Sequence, residues 1–136
     1  MARPEKNRRV CKPPKMKGFK PFGIPKCELE IVQLTIEEYE SIRLVNYEML
    51  QQKEAAVLMN VSRPTLTRIY NKALKNITKA FVEGKAIVID GGNYKFEKEW
   101  YRCKRCFKLV EEVQNHTKCV KISNKNFEEL IQLDKK

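Results

Sequence analysis

Residues 51–75, QQKEAAVLMNVSRPTLTRIYNKALK, constrain the fold of this chain more than any other stretch. Two apolar periods of helical spacing flank Met59-Asn60-Val61, with no room between them for more than a tight turn. Ser62 is placed as an N-cap, and Pro64 falls in the first turn of the second helix, where a missing N–H costs nothing. Asn60 stands where the backbone must turn left-handed, a conformation that Asn tolerates second only to Gly. Ala56 is small where two helices would approach closely. A short helix over about 51–59, a turn, and a long helix from Ser62 to about Val82 stopped by Gly84 make a helix-turn-helix. Ala55, Ala56 and Leu58 are expected to be buried from the first helix, and Leu66, Ile69, Ala73, Ile77 and Phe81 from the second.

Such a unit presents the N-terminal end of its second helix to the major groove. Arg63, Thr65, Thr67, Arg68, Asn71 and Lys72 fall on that end. Arginine can fork onto guanine, Asn can pair with adenine, and Thr can bond to phosphate or touch a thymine methyl. Charge is segregated accordingly. Residues 61–80 carry Arg63, Arg68, Lys72, Lys75 and Lys79 with no acid. Residues 27–60 carry seven Glu against Arg43 and Lys53, and residues 1–26 carry nine Lys/Arg against Glu5. The net charge of +11 on 136 residues bears on partners and favours polyanions.

Upstream, LTIEEY opens a helix, with Thr35 as N-cap and Glu38 as its capping-box partner. Tyr39, Ile42, Val45 and Met49 follow at helical spacing, with Glu37, Glu40 and Arg43 outward. A short helical turn is expected near 28–32. Residues 1–26 hold five of the six prolines and no helical period, so they read as an extended, basic arm. Arg3, Arg8 and Arg9 on such an arm suit an adjacent minor groove. Residues 85–90 read as a strand, Asp90-Gly91-Gly92-Asn93 as a turn and Tyr94 onward as a second strand.

The span from MARPEKNRRV through FKPFGIP, ESIRL, QQKEAAVLMNVSRPTLTRI and VEGKAIVIDGG resembles an uncharacterised prokaryotic family of predicted DNA-binding proteins. Its helix-turn-helix is similar to that of the fourth region of bacterial sigma factors. The resemblance covers residues 1–92 and implies a transcription regulator.

In the tail, Cys103-x2-Cys106 and His116-x2-Cys119 have the spacing of two metal knuckles. A closed Cys3His set favours structural zinc, with an iron–sulfur cluster as the alternative. Cys11 and Cys27 lie outside this pattern and read as free thiols, either of which could replace His116. Asn126 and Glu129 could cap a last helix.

No stretch approaches the ~20 apolar residues of a membrane span, and no apolar region follows the basic N-terminus. A cytoplasmic chain is expected, with no membrane partner. Asp90-Gly91-Gly92 is no phosphate loop, and the lone His leaves no Ser/His/Asp set, so no enzyme is expected.

The expected fold is mainly α. It has a basic arm at 1–26, a helix-turn-helix bundle at 27–84, a β-hairpin with a zinc-ribbon-like metal knuckle at 85–122 and a C-terminal helix at 123–136. The expected partner is double-stranded DNA, with RNA polymerase or a second copy of the chain in addition. The competing readings are a module acting on RNA or RNA polymerase, and a metal- or redox-sensing regulator.

Overall fold

The computed structural model describes residues 8–96, 98, 100–103, 109–111 and 130–133. The first strand, β1 (Arg8–Val10), is followed by β2 (Gly18–Phe19), a 3-10 turn at Lys26–Glu28 and β3 (Ile31–Leu34). Helix α1 (Ile36–Ile42) widens into a π turn at Arg43–Tyr47, and α2 (Gln52–Leu58) and α3 (Arg63–Glu83) come next. Five strands follow: β4 (Ala86–Ile89), β5 (Tyr94–Phe96), β6 (Tyr101–Cys103), β7 (Leu109–Val110) and β8 (Leu130–Gln132).

The fold is therefore mixed α/β, which corrects the expectation of a mainly α bundle. β4 lies at the centre of a three-stranded sheet, parallel to β3 and antiparallel to β2. The sequence AIVI of β4 is rich in β-branched residues and short, as a central strand should be. The expected hairpin is not formed. β5 leaves β4 after the turn and pairs in parallel with β1. The basic arm is corrected in the same way. Residues 8–10 and 18–19 are strands, and Val10 is fully buried beside Leu34, Ile36, Ala73, Ile89, Phe96 and Trp100.

No zinc ribbon is formed among the described residues; β6 is the middle strand of an antiparallel sheet between β7 and β8. The expected last helix is a strand at Leu130–Gln132, and the rest of 123–136, save Leu133, lies outside the described residues.

Helix α1 begins as its sequence implies, with the Glu38 N–H donating to the Thr35 hydroxyl at 3.2 Å. It does not continue to Met49. The π turn redirects the chain, Met49 takes φ 60 and its side chain is exposed. Glu40, expected outside, is 1% exposed and paired with Arg43, and one of its carboxylate oxygens accepts the Cys11 N–H at 3.2 Å. Burial alone would lower the Arg43 pKa, but the Glu40 hydrogen bond and charge outweigh it and hold the guanidinium above its ordinary value. The arm therefore closes over a carboxylate that a free helix surface would have left in water.

A second, smaller core joins α2 to the start of α3 through Leu44, Ala55, Ala56, Met59 and Leu66. Leu66 is fully buried, so Leu66→Ala should cost about 2–5 kcal/mol. Met59 replaces Leu58 as the inward residue, and Leu58 is 50% exposed. At the far end of α3, Phe81 is 86% exposed, because the buried line follows Leu66, Ala73 and Ala80.

Candidate nucleic-acid interface

The connection from α2 to α3 is built on backbone geometry. Asn60 adopts φ 58, and the Val61 N–H donates to the Ala56 carbonyl at 3.0 Å, closing the turn beneath α2. Ser62 then caps α3, its hydroxyl accepting the Thr65 N–H at 3.3 Å. Pro64 sits in the first turn, and Gly84, at φ 68, ends the helix. Twenty-one residues at 1.5 Å each make α3 about 30 Å long, far more than the second core covers.

Arg63, Arg68, Asn71 and Lys72 are exposed. Arg68 lies within hydrogen-bond reach of the Thr65 hydroxyl, its Nη2 donating at 3.3 Å. Thr65 is half-buried and also accepts from the Ser62 hydroxyl at 2.8 Å. Thr67 departs from the expected outward set. Its hydroxyl bonds Gln52 of α2 at 2.5 Å and the Arg63 carbonyl at 3.0 Å, which makes it a brace between the two helices. Lys75 and Lys79 join the exposed face. Arg68, Lys72, Lys75 and Lys79 follow the i, i+4, i+7, i+11 spacing of one helical stripe, and that signal was present in the sequence. The stripe carries no acid until Glu83.

The arginines of the arm divide. Arg8 is held by Glu37 at 3.1 Å, the two side chains 16% and 14% exposed, so it is not free to enter a groove. Arg9 is exposed, and its N–H donates to the Met59 carbonyl at 3.0 Å, which fixes it beside the turn that precedes α3. Arg3 lies outside the described residues.

Arg8, Thr35, Glu37 and Glu38 face Thr65, Arg68 and Lys72 across an open cleft between α1 and α3. Glu38 is buried and accepts from the Asn76 amide at 2.9 Å, which ties α1 to the middle of α3. Its carboxylate is thus engaged by Asn76 within the cleft that Arg68 and Lys72 also line.

Of the expected metal ligands, Cys103 contributes backbone to β6, whereas Cys106, His116 and Cys119 lie outside the described residues. Among the described residues no group of His, Cys, Asp or Glu is placed to hold a metal ion, and Cys11 and Cys27 are exposed free thiols. No helix of the described residues is long and apolar enough to cross a membrane.

The family model described as "Protein of unknown function DUF134" matches residues 1–97. A UPF0251 protein of Halothermothrix orenii is 46% identical over 116 residues, 85% of this chain and 86% of that one. A UPF0251 protein of Chloroherpeton thalassium is 37% identical over 132 residues, covering 96% and 87% of the two chains. One from Caldanaerobacter subterraneus is 53% identical over 95 residues, 70% of this chain and 80% of its own. No solved structure matches.

Proposed function

We propose that this chain, which belongs to the DUF134 family of proteins of unknown function, binds duplex DNA and regulates transcription, with α3 as the element that enters the major groove. The observation that carries this reading is the exposed, acid-free stripe of α3, raised on a turn that is closed from behind by Val61 and Ala56. Arg63, Arg68 and Asn71 near the start of the helix have the donors that distinguish guanine and adenine, and Thr65 supports Arg68. Lys72, Lys75, Lys79 and Arg9 are placed to meet phosphates, a sequence-independent contribution that salt weakens.

Fluorescence anisotropy with a 30-base-pair duplex and a single-stranded RNA of equal length, over a range of salt, tests this reading. The duplex should bind more tightly, and replacing Lys75 and Lys79 together with Ala should flatten the slope of log K against log salt by roughly 2, about 0.9 per phosphate lost. Tighter binding to RNA would assign the stripe to RNA instead.

The proposal extends to one zinc ion per chain on Cys103, Cys106, His116 and Cys119, from their spacing alone. Elemental analysis should find about one zinc per chain, lost in a Cys103→Ser, Cys106→Ser double variant; metal-free protein of unchanged thermal stability would discard the ion.

A further inference from the structure

The C-terminal half of α3 carries a second exposed stripe beside the cationic one. Leu74, Thr78 and Phe81 follow the i, i+4, i+7 spacing of one helical line, and all three are exposed. Leu74 follows the buried Ala73 by one residue and Phe81 follows the buried Ala80, so each stands about 100° round the helix from the core. Thr67 lies two turns earlier on the same line, where its hydroxyl bonds Gln52 of α2 at 2.5 Å. Helix α2 therefore covers this side of α3 at its start, whereas Phe81 and Val82 remain 86% and 74% exposed at its end. Ile24, itself exposed, extends the apolar surface past the helix, its Cδ1 lying 3.4 Å from where a Cβ on Gly84 would stand.

We infer that this stripe is a dimer seam, on which α3 of a second copy lies antiparallel with the two-fold axis passing beside Thr78. The stripe is complementary to itself. A small residue stands at its centre, with an apolar residue four positions before and another three positions after. Rotation about Thr78 therefore sets Leu74 of each copy against Phe81 of the other, as an isologous contact requires. The cationic face agrees with this pairing. A two-fold axis perpendicular to both helices turns to one side whatever lies about a quarter-turn from the contact. Lys75 follows Leu74 by one residue and Lys79 follows Thr78, a rotation of about 100° in each case. Both cationic faces thus point the same way. Arg63, Arg68 and Asn71 are centred about eleven residues from Thr78, which puts the two sets about 33 Å apart along the helices, near the 34–36 Å of one DNA turn. That spacing bears on function through the DNA-binding reading above; the seam itself does not depend on it.

The seam is small. One aromatic side chain contributes about 150–250 Å², and a standard interface takes about 800 Å² from each partner. Lys75 and Lys79 of both copies also meet on one side of it, so like charges oppose association and salt relieves them. A weak dimer follows, with a Kd on the order of 10–100 µM that tightens as salt rises.

The test is sedimentation equilibrium of the full chain without DNA, from about 5 to 500 µM, in 0.1 and 0.5 M NaCl. A reversible monomer–dimer equilibrium, stronger in the higher salt, is expected. Leu74→Lys and Phe81→Glu should each weaken it at least about tenfold, as for central residues of an interface. Both positions are exposed, and circular dichroism checks that each variant folds. An equimolar mixture of the two variants should associate more tightly than either alone, because only the antiparallel register brings the new Lys of one copy to the new Glu of the other. A monomer at every concentration would overturn the seam and assign the stripe to a different partner. A dimer that survives both substitutions, weakens with salt, or is not restored in the mixture would overturn it as well. A chain that dimerises as expected but takes no duplex would keep the seam and remove the DNA-binding reading.

Discussion

The guanidinium of Arg8 lies 3.1 Å from the carboxylate of Glu37, across the junction of β1 and α1. Both side chains are mostly covered, so the pair holds the basic N-terminal stretch against the helix that backs α3. Arg8→Ala should therefore act on stability, costing about 1–3 kcal/mol, between the values for exposed and buried pairs. The salt slope of duplex binding should not change. Chemical denaturation and anisotropy on one preparation separate the two effects, and a flatter slope with unchanged stability would return Arg8 to the interface.

Glu40 is the more severe position. It serves Arg43 and the Cys11 N–H from a buried site, so Glu40→Ala leaves the Arg43 Nε and Nη2 and the Cys11 N–H without that acceptor. A loss of about 3–5 kcal/mol is expected in urea unfolding. Glu48, which holds the outer side of the same guanidinium at 3.1 Å and is half exposed, should cost under about 1 kcal/mol when changed to Ala.

Asn60 tests the turn. At φ 58 its backbone suits Gly, so Asn60→Gly should keep the melting temperature within a few degrees, a change of no more than about 1 kcal/mol. Asn60→Ile places a β-branched residue in a left-handed conformation and should cost at least about 1–2 kcal/mol. Equal stability of the two variants would mean that the turn does not depend on that conformation.

Thr67→Val removes the brace to Gln52 while keeping the shape of the side chain. The expected loss is about 1 kcal/mol of stability, with sequence preference in DNA unchanged. A change of preferred sequence would show instead that the hydroxyl reads a base.

The local signals of capping and turning were legible because they are carried by single residues: Thr35, Asn60, Ser62 and Gly84 stand where their chemistry requires. The strands at Ala86–Ile89 and Tyr94–Phe96 were legible too, but the pairing of strands into sheets was not. β1 and β2 are three and two residues long, in a stretch whose prolines and lysines carry no period, and their partners lie some 70–90 residues away. Leu58 and Met59 were exchanged for a similar reason, because α2 is too short for periodicity to fix its phase within one residue. Glu40 looked solvated since its partners, Arg43 and the Cys11 amide, come together only when β1 crosses α1. Phe81 was assigned to the core by spacing alone, although the buried line of α3 runs through Leu66, Ala73 and Ala80 and leaves Phe81 exposed.

The central claim is that Arg63 and Arg68 read DNA sequence. Its most direct test is recovery of sheared genomic DNA by the purified full chain at near-physiological salt, with sequencing of the bound fragments, beside an Arg63→Ala, Arg68→Ala double variant. Both arginines are exposed, so the variant should fold with the wild-type melting temperature. A sharp motif shared by the wild-type fragments and absent from those of the variant is the predicted result. Diffuse recovery that disappears as salt rises, or a motif that survives in the variant, would contradict it.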